Sequence, residues 1–292
     1  TMKYKYELLK GSKHIVCPNC HHKTFKPYVL ASDGKTIVDA NRYGRCERIN
    51  SCRYILYPKT DDSRLNEYVQ REEFIPKKPK EPDFVPRGTV ESTFNHFREN
   101  VFFRYLIRVF GQDTAYKLQA RYNIGTARNG GTIFWQQDKE GNFRTGKIMY
   151  YAENGHRLKN VSSWYVHKRI NPDFNLVQVF FGEHLVTEDK PIALCESEKT
   201  AIMMSVFEPE YTWLASGGSE MLNNYRLSRL PRLDKVYPDN GQFVKWEMKT
   251  NHFPGRQMDV SVDKAVDNGL LEKGSDILDL YLLNQKTNET ID

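Results

Sequence analysis

The stretch Pro191–Gly241 restricts the possible folds more than any other part of this 292-residue chain. It holds three short apolar runs, Ile192–Cys195, Trp213–Ala215 and Val236–Tyr237. Each runs into a polar or glycine cluster: Glu196-Ser197-Glu198-Lys199, Ser216-Gly217-Gly218 and Pro238-Asp239-Asn240-Gly241. Runs this short, bounded by turn residues and separated by helix-like segments, predict buried parallel strands joined by crossover helices. Ligands of such sheets bind beyond the carboxyl ends of the strands, so Glu196, Gly217, Gly218 and Asp239 are expected on one rim. Carboxylates from two strand ends are what a Mg²⁺ ion acting on phosphates requires. Lys199 is placed either to reach a phosphate held there or to pair with Glu196. Glu198 falls in the first turn of a helix expected over Lys199–Phe207, where the helix dipole favours an anion. The Gly217-Gly218 turn either brings backbone amides close to an anion or is simply a tight strand-to-helix turn.

The length allows one large domain or two to three small ones. Apolar residues make up 39% of the chain, enough for real cores, while 27% are charged and the mean hydropathy is −0.67. No run approaches the ~18 apolar residues of a membrane span, and the first residues lack a signal-peptide core. A cytoplasmic protein with no membrane partner is expected. Charge is unevenly spread. Residues 1–58 carry eleven Lys/Arg against four Asp/Glu, which is more than the whole +6, so the remainder is slightly negative. A basic module on a near-neutral body suggests an anionic partner for that module; a solvated charged surface is the alternative. Five cysteines in such a chain argue for metal rather than disulfides.

Cys17-Pro18-Asn19-Cys20 is a CxxC knuckle, and Cys46 and Cys52 follow after 25 residues. Two pairs supply four thiolates for a tetrahedral Zn²⁺. His21 and His22 adjoin the first knuckle but are set aside as ligands. Phe25, Tyr28 and Val29 before Ser32-Asp33-Gly34, with Ile37-Val38 after, read as a hairpin, which completes a zinc-ribbon pattern. Phe25, Tyr28, Tyr43 and Tyr54 lie among Lys23, Lys26, Arg42, Arg45, Arg48 and Arg53, the mixture that single-stranded nucleic acid requires, although several rings must also build the small core.

Beyond the cysteines, Asp61-Asp62-Ser63 starts a short helix with Leu65, Tyr68 and Val69 at helical spacing, and the proline-rich stretch up to Arg87 reads as a semi-extended tether. Phe94–Phe110 is helical in pattern and ends at Gly111, with a second helix over Thr114–Ala120. Thr132–Trp135 and Lys147–Tyr151 are strand-like around the turn Asp138–Gly141. Trp164–Ile170 and Leu176–Val186 continue a β-rich pattern. His167 and His184, beside aromatics, are read as hydrogen-bonded structural residues. Phe243–Met248 is a helix with Trp246 inward, Met258–Val262 a fourth strand, and Asp276 a helix cap near Asp279.

The C-terminal arrangement resembles a Toprim domain, the metal-binding fold of bacterial primases, topoisomerases and some nucleases. In that family a Glu ends the first strand, a Gly follows the second and a DxD motif follows the third. Glu196, Gly217 or Gly218, and Asp239 match these positions, and Gly241 stands where the second acid of DxD belongs. Bacterial primases carry a zinc ribbon ahead of a core with a Toprim half, and the order here is the same. The resemblance extends to the primase-like Toprim proteins of plasmids, phages and conjugative elements. It implies an α+β / α/β multidomain chain: a zinc ribbon over 1–58, a linker over 59–87, a primase-like core subdomain over 88–187 and a Toprim-like parallel-sheet domain over 188–292. It implies Arg144, Lys147, Arg157 and Lys159 as contacts to template and nucleotide phosphates, with Glu196, Asp239 and Lys199 as the catalytic set. Structural Zn²⁺ and catalytic Mg²⁺ or Mn²⁺ follow, as do single-stranded DNA, nucleotides and a replicative helicase or mobilisation protein as partners. The chain is short for a full primase with its helicase-binding domain. Three readings follow: a primase making short primers, a catalytically inactive single-strand-binding accessory protein favoured by Gly241, and a nuclease, against which the ribbon argues.

Overall fold

The computed structural model describes residues 4–49, 51–58 and 81–289. The chain forms two compact units, Thr1–Pro79 and Lys80–Asp292. The helix expected after Asp61 and most of the proline-rich tether lie outside the described residues. The tether's last residues are docked on the larger unit: the Val85 amide donates to Phe143 O (2.8 Å), and the Asn175 amide to Asp83 Oδ2 (2.6 Å).

In the small unit, β1 (Tyr6–Leu8), β2 (Phe25–Leu30), β3 (Gly44–Cys46) and β4 (Ile55–Leu56) pair antiparallel in that order. The turn after β2 is closed by Asp33, whose Oδ1 accepts from the amides of Lys35 and Thr36, and Gly34 takes φ 64°. Val29 bridges Ile37, as the hairpin pattern predicts. The core is small and consists of Phe25 with Cys17, Cys46 and Cys52.

The larger unit holds two sheets. Among the described residues β5 (Ile124–Thr126), β6 (Thr132–Gln137), β7 (Phe143–Met149) and β8 (Trp164–Tyr165) form an antiparallel sheet. The β6–β7 turn is built on Asp138, which accepts from the Asn142 amide (2.7 Å) and from Arg144 Nε (2.8 Å). The second sheet is parallel, in the order β10 (Thr212–Ala215), β9 (Ile192–Cys195), β11 (Lys235–Val236), β12 (Gln257–Met258). Side chains alternate across a strand, and here the alternation divides two cores. Ala193, Cys195, Trp213, Ala215 and Tyr237 face one core with the helices Val101–Phe110 and Glu198–Phe207. Ile192, Leu194, Leu214 and Val236 face the other, with Leu222, Leu227 and Trp246. A sheet covered on both sides needs apolar residues at every position, which is why these strands read as unbroken apolar runs.

Three expectations are corrected. The first helix is Val101–Phe110 and not Phe94–Phe110, because Asn100 caps it at its N-terminus through the Phe103 amide (3.1 Å). Met258–Val262 is not one strand: Asp259 Oδ1 accepts from the Ser261 amide (2.9 Å), which ends β12 and opens the helix Ser261–Asp267. The β-rich pattern of 164–186 yields only β8; His167–Ile170 is a short helix, and 176–186 adds an isolated bridge, in which Phe181 and Ala215 exchange amide hydrogen bonds of 3.0 Å each.

Asn100 is fully buried and uses its whole amide. Oδ1 accepts from the Phe103 amide and Thr132 Oγ1, and Nδ2 donates to Gly125 O and Thr126 Oγ1. Replacement by Ala strands these partners away from water. Asn100→Ala is expected to destabilise the protein by about 3 kcal/mol, seen as a lower urea midpoint at unchanged slope.

Candidate metal centres

The small unit brings Cys17, Cys20, Cys46 and Cys52 together, with all four sulfurs within 4.8 Å of one another. Cys17 Sγ lies 3.7 Å from Cys52 Sγ, and Cys20 Sγ 3.8 Å from Cys46 Sγ. Those distances are too long for a disulfide. Thiolates set tetrahedrally around zinc at Zn–S bonds of about 2.3 Å are separated by about 3.8 Å, which the two pairs match, so the quartet suits Zn²⁺. The wider spacing of the second pair is accommodated by a turn in which the Cys52 amide bonds to Arg48 O (2.8 Å) and Arg53 takes φ 57°. His22 is engaged elsewhere, its Nδ1 lying 2.6 Å from Cys20 O and 2.9 Å from Arg48 Nη1.

Two of the rings read as a stacking surface are spent on the core: Phe25 is fully buried, and Tyr28 is buried against Tyr57. Tyr57, which the sequence reading passed over, is half exposed, and Tyr43 is partly exposed with Arg42 over its ring.

The larger unit places the acidic residues at the carboxyl ends of its parallel strands. Leu194 is in register with Val236, so Glu196 and Asp239 leave neighbouring strands side by side. Ala215 is in register with Cys195, and the Gly217 amide donates to Glu196 O (2.8 Å). Gly217 has φ 79°, a conformation that favours glycine, and a Cβ there would stand 2.9 Å from Glu198 Oε1, so that carboxylate would have to shift. Burial raises the Glu196 carboxyl above its ordinary range, against the pull of the Ser219 amide and Lys147. Burial, with Asp276, Glu196 and Asp279 nearby, pushes Asp239 up to about 9.

Asp276 caps a helix, as its sequence context predicts, and also adds its charge to this group. Its Oδ1 accepts from the Asp279 amide while its own amide donates to Asp279 Oδ2, both at 3.1 Å, a reciprocal cap on the helix Ile277–Glu289. The same side chain accepts from the Thr200 hydroxyl and adds negative charge beside Asp239. Burial, then Asp279, raises its own carboxyl. Asn240 ties the two segments: its amide donates to Ser275 O (3.0 Å), and its Oδ1 accepts from the Gly274 amide (3.2 Å). Among the described residues, the cysteines are the one set of three or more metal-ligand side chains whose donor atoms all lie within 4.8 Å of one another, so the carboxylates are more widely set.

The basic candidates divide. Lys147 is buried, and its Nζ donates to both carboxylate oxygens of Glu198 (3.0 Å each) and to Gly217 O (2.8 Å). Arg144 is buried on Asp138. Arg157 and Lys159 are exposed. Lys199 donates to Gly155 O (3.2 Å) and lies close enough to Asp276 to favour its ionised form. Gly218 follows Gly217 at φ 151°, its carbonyl accepting from Ser216 Oγ (3.1 Å). His167 Nδ1 lies 2.9 Å from Thr145 Oγ1, and His184 Nε2 lies 2.9 Å from Arg121 O.

Residues 2–67 match the model of a zinc β-ribbon finger family. Residues 100–240 match a domain of unknown function, DUF6371, a span that includes Lys147, Glu196, Gly217, Gly218 and Asp239 and stops short of Asp276. No curated protein sequence matches the chain. Weak structural similarity extends to the primase fragment of the bacteriophage T7 primase-helicase protein, with 17% identity, a TM-score of 0.38, and coverage of 89% of this chain and 96% of that one. It extends also to the zinc-binding and RNA polymerase domains of Aquifex aeolicus primase, with 10% identity, a TM-score of 0.33, and coverage of 90% and 78%. No helix among the described residues is long and apolar enough to cross a membrane.

Two outcomes are expected. Cys46→Ser should lower zinc from one ion per chain to a small fraction of that, measured by elemental analysis of purified protein. Asp239 gives a pH dependence. Its ordinary value is 3.8 and its folded value about 9, so the folded state keeps a proton that the unfolded state releases. The protein is therefore best off below about pH 4 with respect to this group, and loses up to about 1.4 kcal/mol per pH unit between the two values. Without added divalent metal, Asp239→Asn should melt at the same temperature as wild type near pH 4, and at progressively higher temperature than wild type up to pH 8.

Proposed function

We propose that this chain is a primase-like nucleic-acid protein that synthesises short primers on single-stranded DNA with Mg²⁺ or Mn²⁺. The observation that carries this reading is the placement of Glu196 and Asp239 beyond the ends of adjoining parallel strands, with the charge of Asp276 acting on Asp239, in a chain that also holds a four-cysteine ribbon. The parallel sheet with an acid after its first strand, Gly217 after its second and Asp239 after its third is the arrangement expected of a Toprim site. A Mg²⁺ ion usually keeps several waters and takes one or two carboxylates together with substrate phosphates, so it does not need a closed cage of protein ligands. Glu196 and Asp239 would hold it, with Asp276 as a further acid, and the ion would neutralise the triphosphate and activate the primer hydroxyl. Lys199, beside Asp276, would offset the charge of the acids. Lys147 would hold the Gly217–Gly218 turn through Gly217 O while pairing with Glu198, and the exposed Arg157 and Lys159 would contact nucleic-acid phosphates. In the ribbon, Tyr43 and Tyr57 would stack on bases of the template. A mobile-element origin, a cytoplasmic site of action, and a replicative helicase or mobilisation protein as partner belong to the same reading.

One observation favours a second reading, an accessory protein that binds single strands without chemistry. Gly241 takes φ 77°, and its amide donates to Asp263 Oδ1 (2.9 Å), so the place of a second strand-end acid is taken by a backbone turn.

Primer synthesis on single-stranded DNA with all nucleotides and Mg²⁺ or Mn²⁺ separates the two. Wild type should yield labelled oligonucleotides, and Glu196→Ala should reduce them by roughly 100-fold or more, the scale of losing a metal-site group. Absence of products from wild type, with salt-sensitive DNA binding that survives Glu196→Ala, would leave the accessory reading standing.

A further inference from the structure

The metal quartet of the ribbon joins two dissimilar loops. The first is a tight CxxC turn, and backbone amides reach its sulfurs: those of Asn19 and Cys20 reach Cys17, and that of His22 reaches Cys20. The second pair is spaced by five residues. Its sulfurs receive two side chains from the first loop. Asn19 Nδ2 donates to Cys52 Sγ at 3.3 Å across 33 residues of sequence, and Thr24 Oγ1 lies 3.3 Å from Cys46 Sγ across 22 residues. A zinc-bound sulfur carries no proton and can only accept, so in the loaded site the Thr24 hydroxyl is the donor. Thr24 is held at the right place by its own backbone, since its carbonyl accepts from the Glu47 amide (2.8 Å), the residue next to Cys46.

We propose that Asn19 and Thr24 are positioning residues of the zinc site, lacing the first cysteine loop to the thiolates of the second. The electrostatics favour this. Four thiolates around a dication carry a formal charge of about −2, and each donated hydrogen bond draws part of it off the sulfurs. Groups that orient ligands and spread their charge typically account for 10- to 100-fold in metal affinity. Both side chains are only partly buried, and neither belongs to the core of the unit, so their contribution falls on the metal rather than on packing. The inference depends on zinc occupancy alone and is independent of whether the larger unit performs chemistry.

The test uses the full chain with Asn19→Ala, Thr24→Val and Thr24→Ser. Zinc affinity is read by competition with a chromophoric chelator, and the sulfur-to-metal charge-transfer bands are read after replacing zinc with Co²⁺. Asn19→Ala and Thr24→Val should each bind zinc about 10- to 100-fold more weakly, while Thr24→Ser, which keeps the hydroxyl, stays within about threefold of wild type. Removing a donor raises the energy of the sulfur lone pairs, so the Ala and Val variants should show charge-transfer bands moved to lower energy, and the Ser variant should not. A role confined to packing would leave those bands where they are. Unchanged bands and affinities in Asn19→Ala and Thr24→Val would overturn the proposal. So would a Thr24→Ser variant as weak as Thr24→Val, because the hydroxyl would then not be what matters.

Discussion

The pairing of Ile192–Cys195 with a parallel strand on each side sets the geometry of the larger unit. Register with Thr212–Ala215 on one edge and Lys235–Val236 on the other leaves no freedom in where the three strands end. Because each strand is buried on both faces, slipping by one residue would exchange the residues of the two cores, moving Trp213 into the place of Leu214. The register is thus held by side-chain volume as well as by hydrogen bonds. Glu196, Gly217 and Asp239 are neighbours because the strands that precede them cannot move relative to one another.

Concentrating acids at that rim creates a repulsion that the fold answers in three ways. The Asp239 carboxyl is raised to about 9, which favours its neutral form. Lys147 crosses from the antiparallel sheet to take up Glu198, leaving that carboxylate paired and buried. Lys199 stands by Asp276 while its ammonium is tied to Gly155. A buried pair such as Lys147–Glu198 contributes little net stability once both charges have been desolvated. Its value is directional: it also grips Gly217 O and so fixes the turn beside Glu196.

The sequence shows the parts of this protein whose physics is local. The four cysteines, the turns on Asp33 and Asp138, the three apolar runs and the cap at Asp276 depend on near neighbours, and the structure has each of them. What the sequence could not show depends on partners far along the chain. Lys147 looks like a free cation until the fold supplies Glu198, 51 residues along the chain. Phe25 and Tyr28 look like stacking rings until the ribbon, with little else to build a core from, buries them. Asn100 lies inside an apolar helical pattern; its cap to the Phe103 amide is local, but the bonds that complete its buried side chain come only with Thr126 and Thr132 of the adjacent sheet. Met258–Val262 misleads for a different reason: apolar content extends a strand past the point at which Asp259 turns the backbone into a helix.

The absence of an acid at Gly241 does not leave Asp239 without an acidic neighbour beyond its own strand. Gly241 belongs to a turn held by Asp263, which also accepts from Asn240 Nδ2 (2.7 Å), and that turn draws Asp239 against the segment carrying Asp276. Asp276, at the start of the last helix, places its charge beside Asp239. Asp276 has other duties, with Oδ1 capping the helix and Oδ2 accepting from Thr200. A carboxylate offers about four lone-pair sites, and these duties occupy two of them. Each oxygen therefore keeps capacity for a cation, and a side chain already fixed from two directions would lose little freedom on taking one. A glycine at 241 and a capped aspartate at 276 are thus compatible parts of one rim.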